Sequence, residues 1–93
     1  MITVYSKDHC PYCTMAKQYL DKHEFEFEEI NIGQNPEARE FIISEGHKTV
    51  PQIYHNGKLL LEGGGLALTR LQPETVRGLI KGEVKIDVSN FKL

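Results

Sequence analysis

From Ile2 to Ser6 apolar and polar residues alternate, with β-branched and aromatic types among them, which predicts a strand. Beyond Cys10 the period lengthens. Met15, Ala16, Tyr19 and Leu20 form one stripe while Lys17, Gln18, Asp21 and Lys22 fall on the water side, so a helix is predicted from Pro11, whose missing N–H costs nothing at a first helical position. Phe25, Phe27, Ile30 and Ile32 predict a second strand. Its period breaks between Phe27 and Ile30, and a bulge or register change near Glu28 or Glu29 would accommodate the break. Asn35 as N-cap, Pro36 in the first turn and Ala38, Phe41 and Ile42 at helical spacing predict a second helix that stops at Gly46. Pro51 to His55, Asn56-Gly57 and Lys58 to Leu61 read as a hairpin, because Asn-Gly suits the left-handed dihedrals of a type I′ turn. Gly63-Gly64-Gly65 punctuates the chain, and a last helix is predicted from Pro73 to Lys81, burying Val76, Leu79 and Ile80 and ended by Gly82.

The order βαβαββα requires a crossover that makes the first two strands parallel neighbours, while the hairpin adds antiparallel strands on the other side. The expected architecture is an α/β fold, a four-stranded mixed sheet with helices on both faces. Residues 83–88 alternate like a strand without a partner, so the chain divides into one domain over 1–82 and an extension over 83–93, an edge strand or a tail. With 93 residues there is no room for a separate substrate domain, and a large substrate must dock on the surface.

Eleven basic against thirteen acidic residues leave a net charge of −2, and the lysines are dispersed, which argues against a nucleic-acid partner. No stretch is long or apolar enough to span a bilayer, and Met1-Ile2-Thr3-Val4-Tyr5 lacks the basic region of a signal peptide. A soluble, monomeric, cytoplasmic protein is expected. Both cysteines sit in one motif and none remain to staple a secreted scaffold, which favours a reducing compartment.

That motif is Cys10-Pro11-Tyr12-Cys13, between a predicted strand and a predicted helix. A zinc site needs four ligands, and His9, His23, His47 and His55 form no H-x₃₋₅-H pair, so no metal is expected. A structural disulfide closing so short a loop stabilises little. A redox dithiol remains. Cys10 at a helix N-terminus is favoured as thiolate, the species that attacks disulfides, and Cys13 one turn on can attack the resulting mixed disulfide. Lys7 is either a cation that lowers the thiol pKa or receives a substrate carboxylate, or a solvated loop lysine. Tyr12 is read as a packing surface that lines the site rather than as an acid, since tyrosine phenols in general hold their proton far above neutral pH. Thr49-Val50-Pro51 is either an edge-strand start or a cis Val50–Pro51 bond that turns the Val50 backbone toward the dithiol for strand-like pairing with a substrate. The triglycine is either a flexible turn or a set of N–H groups that cradles a carboxylate.

Cys10-Pro11-Tyr12-Cys13, Lys7, Thr49-Val50-Pro51 and the Gly63-Gly64 pair, at these spacings, resemble a dithiol glutaredoxin over roughly Ile2 to Gly82. The resemblance implies a thioredoxin-like fold, Cys10 as nucleophile, Cys13 as resolving thiol and Pro51 in cis. It implies glutathione as reducing co-substrate, with no bound cofactor, contacted by Lys7, Tyr12, Thr49, Val50, Pro51, Gly63, Gly64 and Gly65. Disulfide-containing proteins, ribonucleotide reductase among them, are the implied clients.

Two departures stand out. Where the family commonly follows its diglycine with a polar pair that holds the γ-glutamyl end, this chain has Gly65-Leu66-Ala67-Leu68. The second-helix Arg or Gln that meets a glutathione carboxylate aligns with Ala38, leaving Arg39 or Lys48 to substitute. These departures raise an alternative within the fold, an NrdH-type redoxin reduced by thioredoxin reductase, against which Cys10-Pro11-Tyr12-Cys13, Lys7 and the diglycine argue. Other classes are an iron-sulfur carrier, disfavoured by Pro11 and the second cysteine, and a binding module without turnover.

Overall fold

In the computed structural model, which describes residues 1–81, the alternating segment at the start is β1 (Ile2–Ser6), with Ile2, Val4 and Ser6 buried on one face. There follow α1 (Pro11–Lys22), β2 (Phe27–Asn31), α2 (Pro36–Ser44), β3 (Gln52–His55), β4 (Lys58–Leu59), α3 (Gly64–Thr69) and α4 (Pro73–Lys81). The sheet order is β2-β1-β3-β4, with β1 and β2 parallel and β1–β3 and β3–β4 antiparallel. This is the four-stranded mixed sheet that the element order predicts, in the thioredoxin-like arrangement that the resemblance implies. Gly82 and the alternating segment after it lie outside the described residues.

The sheet buries one face under α1, α3 and α4. Ile2, Val4 and Ile53 from the strands meet Ala16, Tyr19 and Leu20 of α1, Leu68 of α3 and Val76 of α4, and all but Tyr19 are 0–1% exposed. Each large aliphatic side chain so removed from water contributes about 1.5–3 kcal/mol. Tyr19 keeps its polar end satisfied by donating from its hydroxyl to the Leu71 carbonyl at 2.7 Å, which ties α1 to the α3–α4 connection. On the opposite face α2 covers an aromatic cluster in which Tyr54 lies 5.4 Å from both Tyr5 and Phe41. Helices on both faces leave the strand ends as the accessible part of the sheet.

Local signals act where the sequence places them. The Asn35 side chain accepts from the Ala38 N–H at 3.1 Å to cap α2, and Gly46 (φ 88) follows its last turn. Asn56 and Gly57 both have positive φ, 51° and 82°, as a type I′ turn requires.

Four expectations need correction. There is no bulge or register change near Glu28 or Glu29: Ile2 pairs with Phe27, Val4 with Glu29 and Ser6 with Asn31 in unbroken parallel register. The apolar period breaks because Glu29 occupies an α1-facing position where its carboxylate has polar partners. The hairpin is shorter than read, β4 ending at Leu59 and β3 beginning at Gln52, after Pro51. The triglycine, read as punctuation, opens a six-residue helix, α3, too short to show a period. Within α4, Val76 and Gly78 are buried while Leu79 and Ile80 are half-exposed, so the inward face runs through Val76 and Gly78 rather than through the larger side chains.

Candidate active site

Both sulfurs belong to the first turn of α1. Cys10 is its N-cap, with extended backbone (φ −116, ψ 101), and its Sγ accepts a hydrogen bond from the Cys13 N–H at 3.2 Å. The two cysteines are joined as a disulfide, their Cα atoms 5.2 Å apart. In the reduced protein the same N–H and the positive end of α1 favour negative charge on Cys10, and no acidic residue stands in the first turn to oppose it. Cys10 is half-buried at the surface whereas Cys13 is 2% exposed. An incoming disulfide can therefore reach the outer sulfur, and the inner one is placed to react only through it.

Across the dithiol runs the segment before β3. The Val50–Pro51 bond is cis, the second of the two readings, and the Val50 carbonyl oxygen lies 3.8 Å from Cys10 Sγ. A cavity of about 330 Å³ opens beside it, and seven of the eight positions expected to contact glutathione line it together: Tyr12, Thr49, Val50, Pro51 and Gly63, Gly64 and Gly65. Lys7 is not among them. It lies in an adjoining groove of about 370 Å³ that shares Thr49 and Val50 with the cavity.

That groove places Lys7, Arg39 and Lys48 over an apolar floor of Ile32, Ile42 and Ile43. Ala38 is buried, so the aligned position cannot meet a ligand, and both proposed substitutes face the groove. Among the described residues the one salt bridge joins Lys17 and Glu29, so these three cations are unpaired. The cavity has the opposite character on its far wall: Tyr12 is 52% and Leu66 42% exposed, and neither brings a charge.

Two glycines set the width of the cavity. A β-carbon on Gly64 (φ +65) would come within 2.7 Å of the Pro51 carbonyl oxygen, and one on Gly65 would collide with the Tyr12 carbonyl oxygen. Gly65→Ala is expected to push α3 off α1 and Pro51, lowering stability by about 1–3 kcal/mol and weakening turnover together. Denaturant unfolding and a disulfide-reduction assay on the same preparation check this, and unchanged stability would show that α3 yields freely.

Sequence reasoning passed over a third group. On the other side of the dithiol a cleft of about 500 Å³ is lined by Cys10, Cys13, Lys17 and Glu29. One Glu29 oxygen accepts from the Lys17 ammonium at 2.8 Å and from the fully buried Ser6 hydroxyl at 2.6 Å. Chiefly through Lys17, then Ser6, its carboxyl is held below the usual carboxylate range. The broken strand period was the one available signal.

Relatives share this arrangement of chain. A model of the Glutaredoxin family matches residues 2–60, more than half of the sequence. The glutaredoxin-like protein NrdH of Lactococcus lactis is 47% identical over 53 residues, 57% of this chain and 74% of that protein. Glutaredoxin 3 of Escherichia coli is 41% identical over 54 residues, 57% of this chain and 65% of that protein. The solution structure of a glutaredoxin from Brucella melitensis superimposes with a TM-score of 0.68 at 32% identity, covering 90% of this chain and 92% of that one. Sequence and fold thus agree on the ancestry of the dithiol at the head of α1, and the chain belongs to the glutaredoxin family.

Proposed function

We propose that this protein is a glutathione-dependent oxidoreductase that reduces protein disulfides and glutathione mixed disulfides. The supporting observation is the position of Cys10 Sγ, between the Cys13 N–H and the carbonyl of Val50, a residue that lines both the cavity and the cationic groove. A substrate strand laid against Val50 presents its sulfur to Cys10. The Cys10 thiolate attacks, one substrate thiolate leaves, and a mixed disulfide forms. Cys13 then attacks Cys10 Sγ, releases the second substrate thiolate and closes the Cys10–Cys13 disulfide. Two glutathione thiols regenerate the dithiol and leave as glutathione disulfide, so two electrons and two protons pass to each substrate disulfide. Lys7, Arg39 and Lys48 supply positive charge for a glutathione carboxylate, with Tyr12, Thr49, Pro51 and Gly63–Gly65 as the walls. Ribonucleotide reductase is the protein client that the family resemblance implies.

A specific observation favours a second reading. Leu66 is exposed where a polar pair would hold the γ-glutamyl end of glutathione, and an apolar wall suits a protein reductant instead, as in an NrdH-type redoxin reduced by thioredoxin reductase. Supplying electrons from glutathione with glutathione reductase, or from thioredoxin reductase alone, decides between them. Turnover with glutathione is expected. Turnover with thioredoxin reductase only would replace the first reading by the second, and turnover with neither would leave a binding module.

A further inference from the structure

Glu29 stands where the strand pattern calls for an apolar side chain. It is the register partner of Val4, which is 0% exposed, and it faces α1 beside Phe27 and Asn31 of the same strand. Ser6, two residues from Val4 on the same face, is also 0% exposed, and Glu29 is the partner of its hydroxyl. Lys17 lies one turn beyond Cys13 on α1 and completes the group at 2.8 Å. Lys17, Glu29 and Asn31 line the same cleft as Cys10 and Cys13, with Ser6 buried behind Glu29.

We propose that the Lys17–Glu29 pair, anchored by Ser6, sets the redox poise of the dithiol through the charge it presents to the reduced Cys10–Cys13 pair. The proposal rests on the dithiol as the electron-carrying group and not on the identity of the reductant. Reduction of the disulfide puts negative charge on a sulfur, which a nearby cation favours and a nearby anion opposes. Paired, Lys17 and Glu29 largely cancel at the dithiol. Separated, they act in opposite directions. Glu29→Gln leaves the Lys17 charge uncompensated, stabilises the thiolate and makes the protein more oxidising. Lys17→Gln leaves the Glu29 charge, disfavours the thiolate and makes the protein more reducing. The remaining charged or titratable groups of the cleft, Lys7, Asp8 and His9, are common to all variants, and Asp8 is engaged by the Asn31 side-chain amide at 2.9 Å. Lys17 and Glu29 are positioning residues for charge, since neither exchanges a bond with substrate.

The test is equilibrium of the full-length protein in mixtures of reduced and oxidised glutathione, used as a redox buffer. In the reaction, protein disulfide and two glutathione thiols give protein dithiol and glutathione disulfide. Relative to wild type, Glu29→Gln is expected to shift the equilibrium constant roughly three- to tenfold toward dithiol and Lys17→Gln by a similar factor the other way, for charges acting across a partly solvated cleft. A tenfold change is about 30 mV for this two-electron couple. The thiolate absorbance of Cys10 against pH should move down and up in parallel. The double variant and the charge-keeping Glu29→Asp and Lys17→Arg should lie near wild type, and added salt should shrink the single-variant shifts. Loss of packing alone would move both single variants in the same direction or not at all, and either result overturns the proposal. A wild-type protein that fails to equilibrate with any thiol would instead overturn the redox reading of the dithiol itself.

Discussion

Replacing Cys10 by serine is expected to reduce turnover to the uncatalysed rate with protein disulfides and with glutathione mixed disulfides alike. Cys13→Ser should separate the two, keeping deglutathionylation within a few-fold of wild type while reduction of protein disulfides is lost. The difference follows from exposure and order along the helix. Cys10 is the sulfur that substrate can reach, it receives the Cys13 N–H, and it stands at the positive end of α1. A serine hydroxyl there is almost wholly protonated near neutral pH and offers no comparable nucleophile. Cys13 is 2% exposed and can act only on Cys10 Sγ, displacing whatever sulfur is bound there. When that sulfur belongs to glutathione, a second glutathione can attack it from outside. When it belongs to a folded client, the resolving thiol must come from within the protein. Assays of Cys10→Ser and Cys13→Ser on a glutathionylated peptide and on a protein disulfide check both arms. Appreciable turnover by Cys10→Ser would remove Cys10 as nucleophile, and protein disulfide reduction by Cys13→Ser would remove Cys13 as resolving thiol.

What the sequence disclosed depended on how far each signal reaches. The dithiol could be placed because Pro11 marks a helix start and β1 alternates cleanly, so Cys10 falls at the N-cap from local signals alone. The sheet followed from connection rules, since a helix between two strands makes them parallel and Asn56-Gly57 makes the next two antiparallel. Helix α3 escaped notice because its six residues begin with glycines, and a tertiary contact explains those glycines: α3 lies against the backbones of Tyr12 and Pro51. Glu29 was misread for a similar reason. Its partners are Ser6, 23 positions earlier, and Lys17, 12 earlier, so the strand's own pattern shows a fault and not its cause. Arg39 and Lys48 could be named but not placed, since whether Arg39 faces a groove depends on how α2 is rolled against the aromatic face beneath it, and Lys48 lies in the irregular segment that follows.

Between pH 10 and pH 12 the fold is expected to lose roughly 2–3 kcal/mol of stability through Tyr54, at about 1.4 kcal/mol for each pH unit of pKa displacement. Tyr54 is 1% exposed, and its pKa is pushed up from 10.0 to about 12, first by burial, then by the hydrogen bond its hydroxyl donates to Glu45 and by the negative charge of that carboxylate. The unfolded chain releases the same proton near the ordinary value of 10. The folded state is therefore favoured in full below pH 10, and that contribution declines as pH rises toward 12, where folding would require a buried phenolate beside a carboxylate. Tyr54 also bonds His47 Nε2 at 2.8 Å, so its hydroxyl links β3 to the segment that leads from α2 to Val50 and Pro51. Denaturant unfolding from pH 9 to 12, in a background with both cysteines replaced by serine to remove thiol titration, measures the loss. Tyr54→Phe should cost about 1 kcal/mol near neutral pH, because Glu45 and His47 can turn to water, and should flatten the alkaline slope. The upward displacement of Tyr19 is common to both proteins and cancels in the difference, whereas Tyr5, whose charge also raises Tyr54, belongs to the slope that Tyr54→Phe removes. Equal slopes in the two proteins would mean that Tyr54 ionises inside the fold without penalty, and that the Glu45–Tyr54–His47 chain does not hold the active-site segment to the sheet.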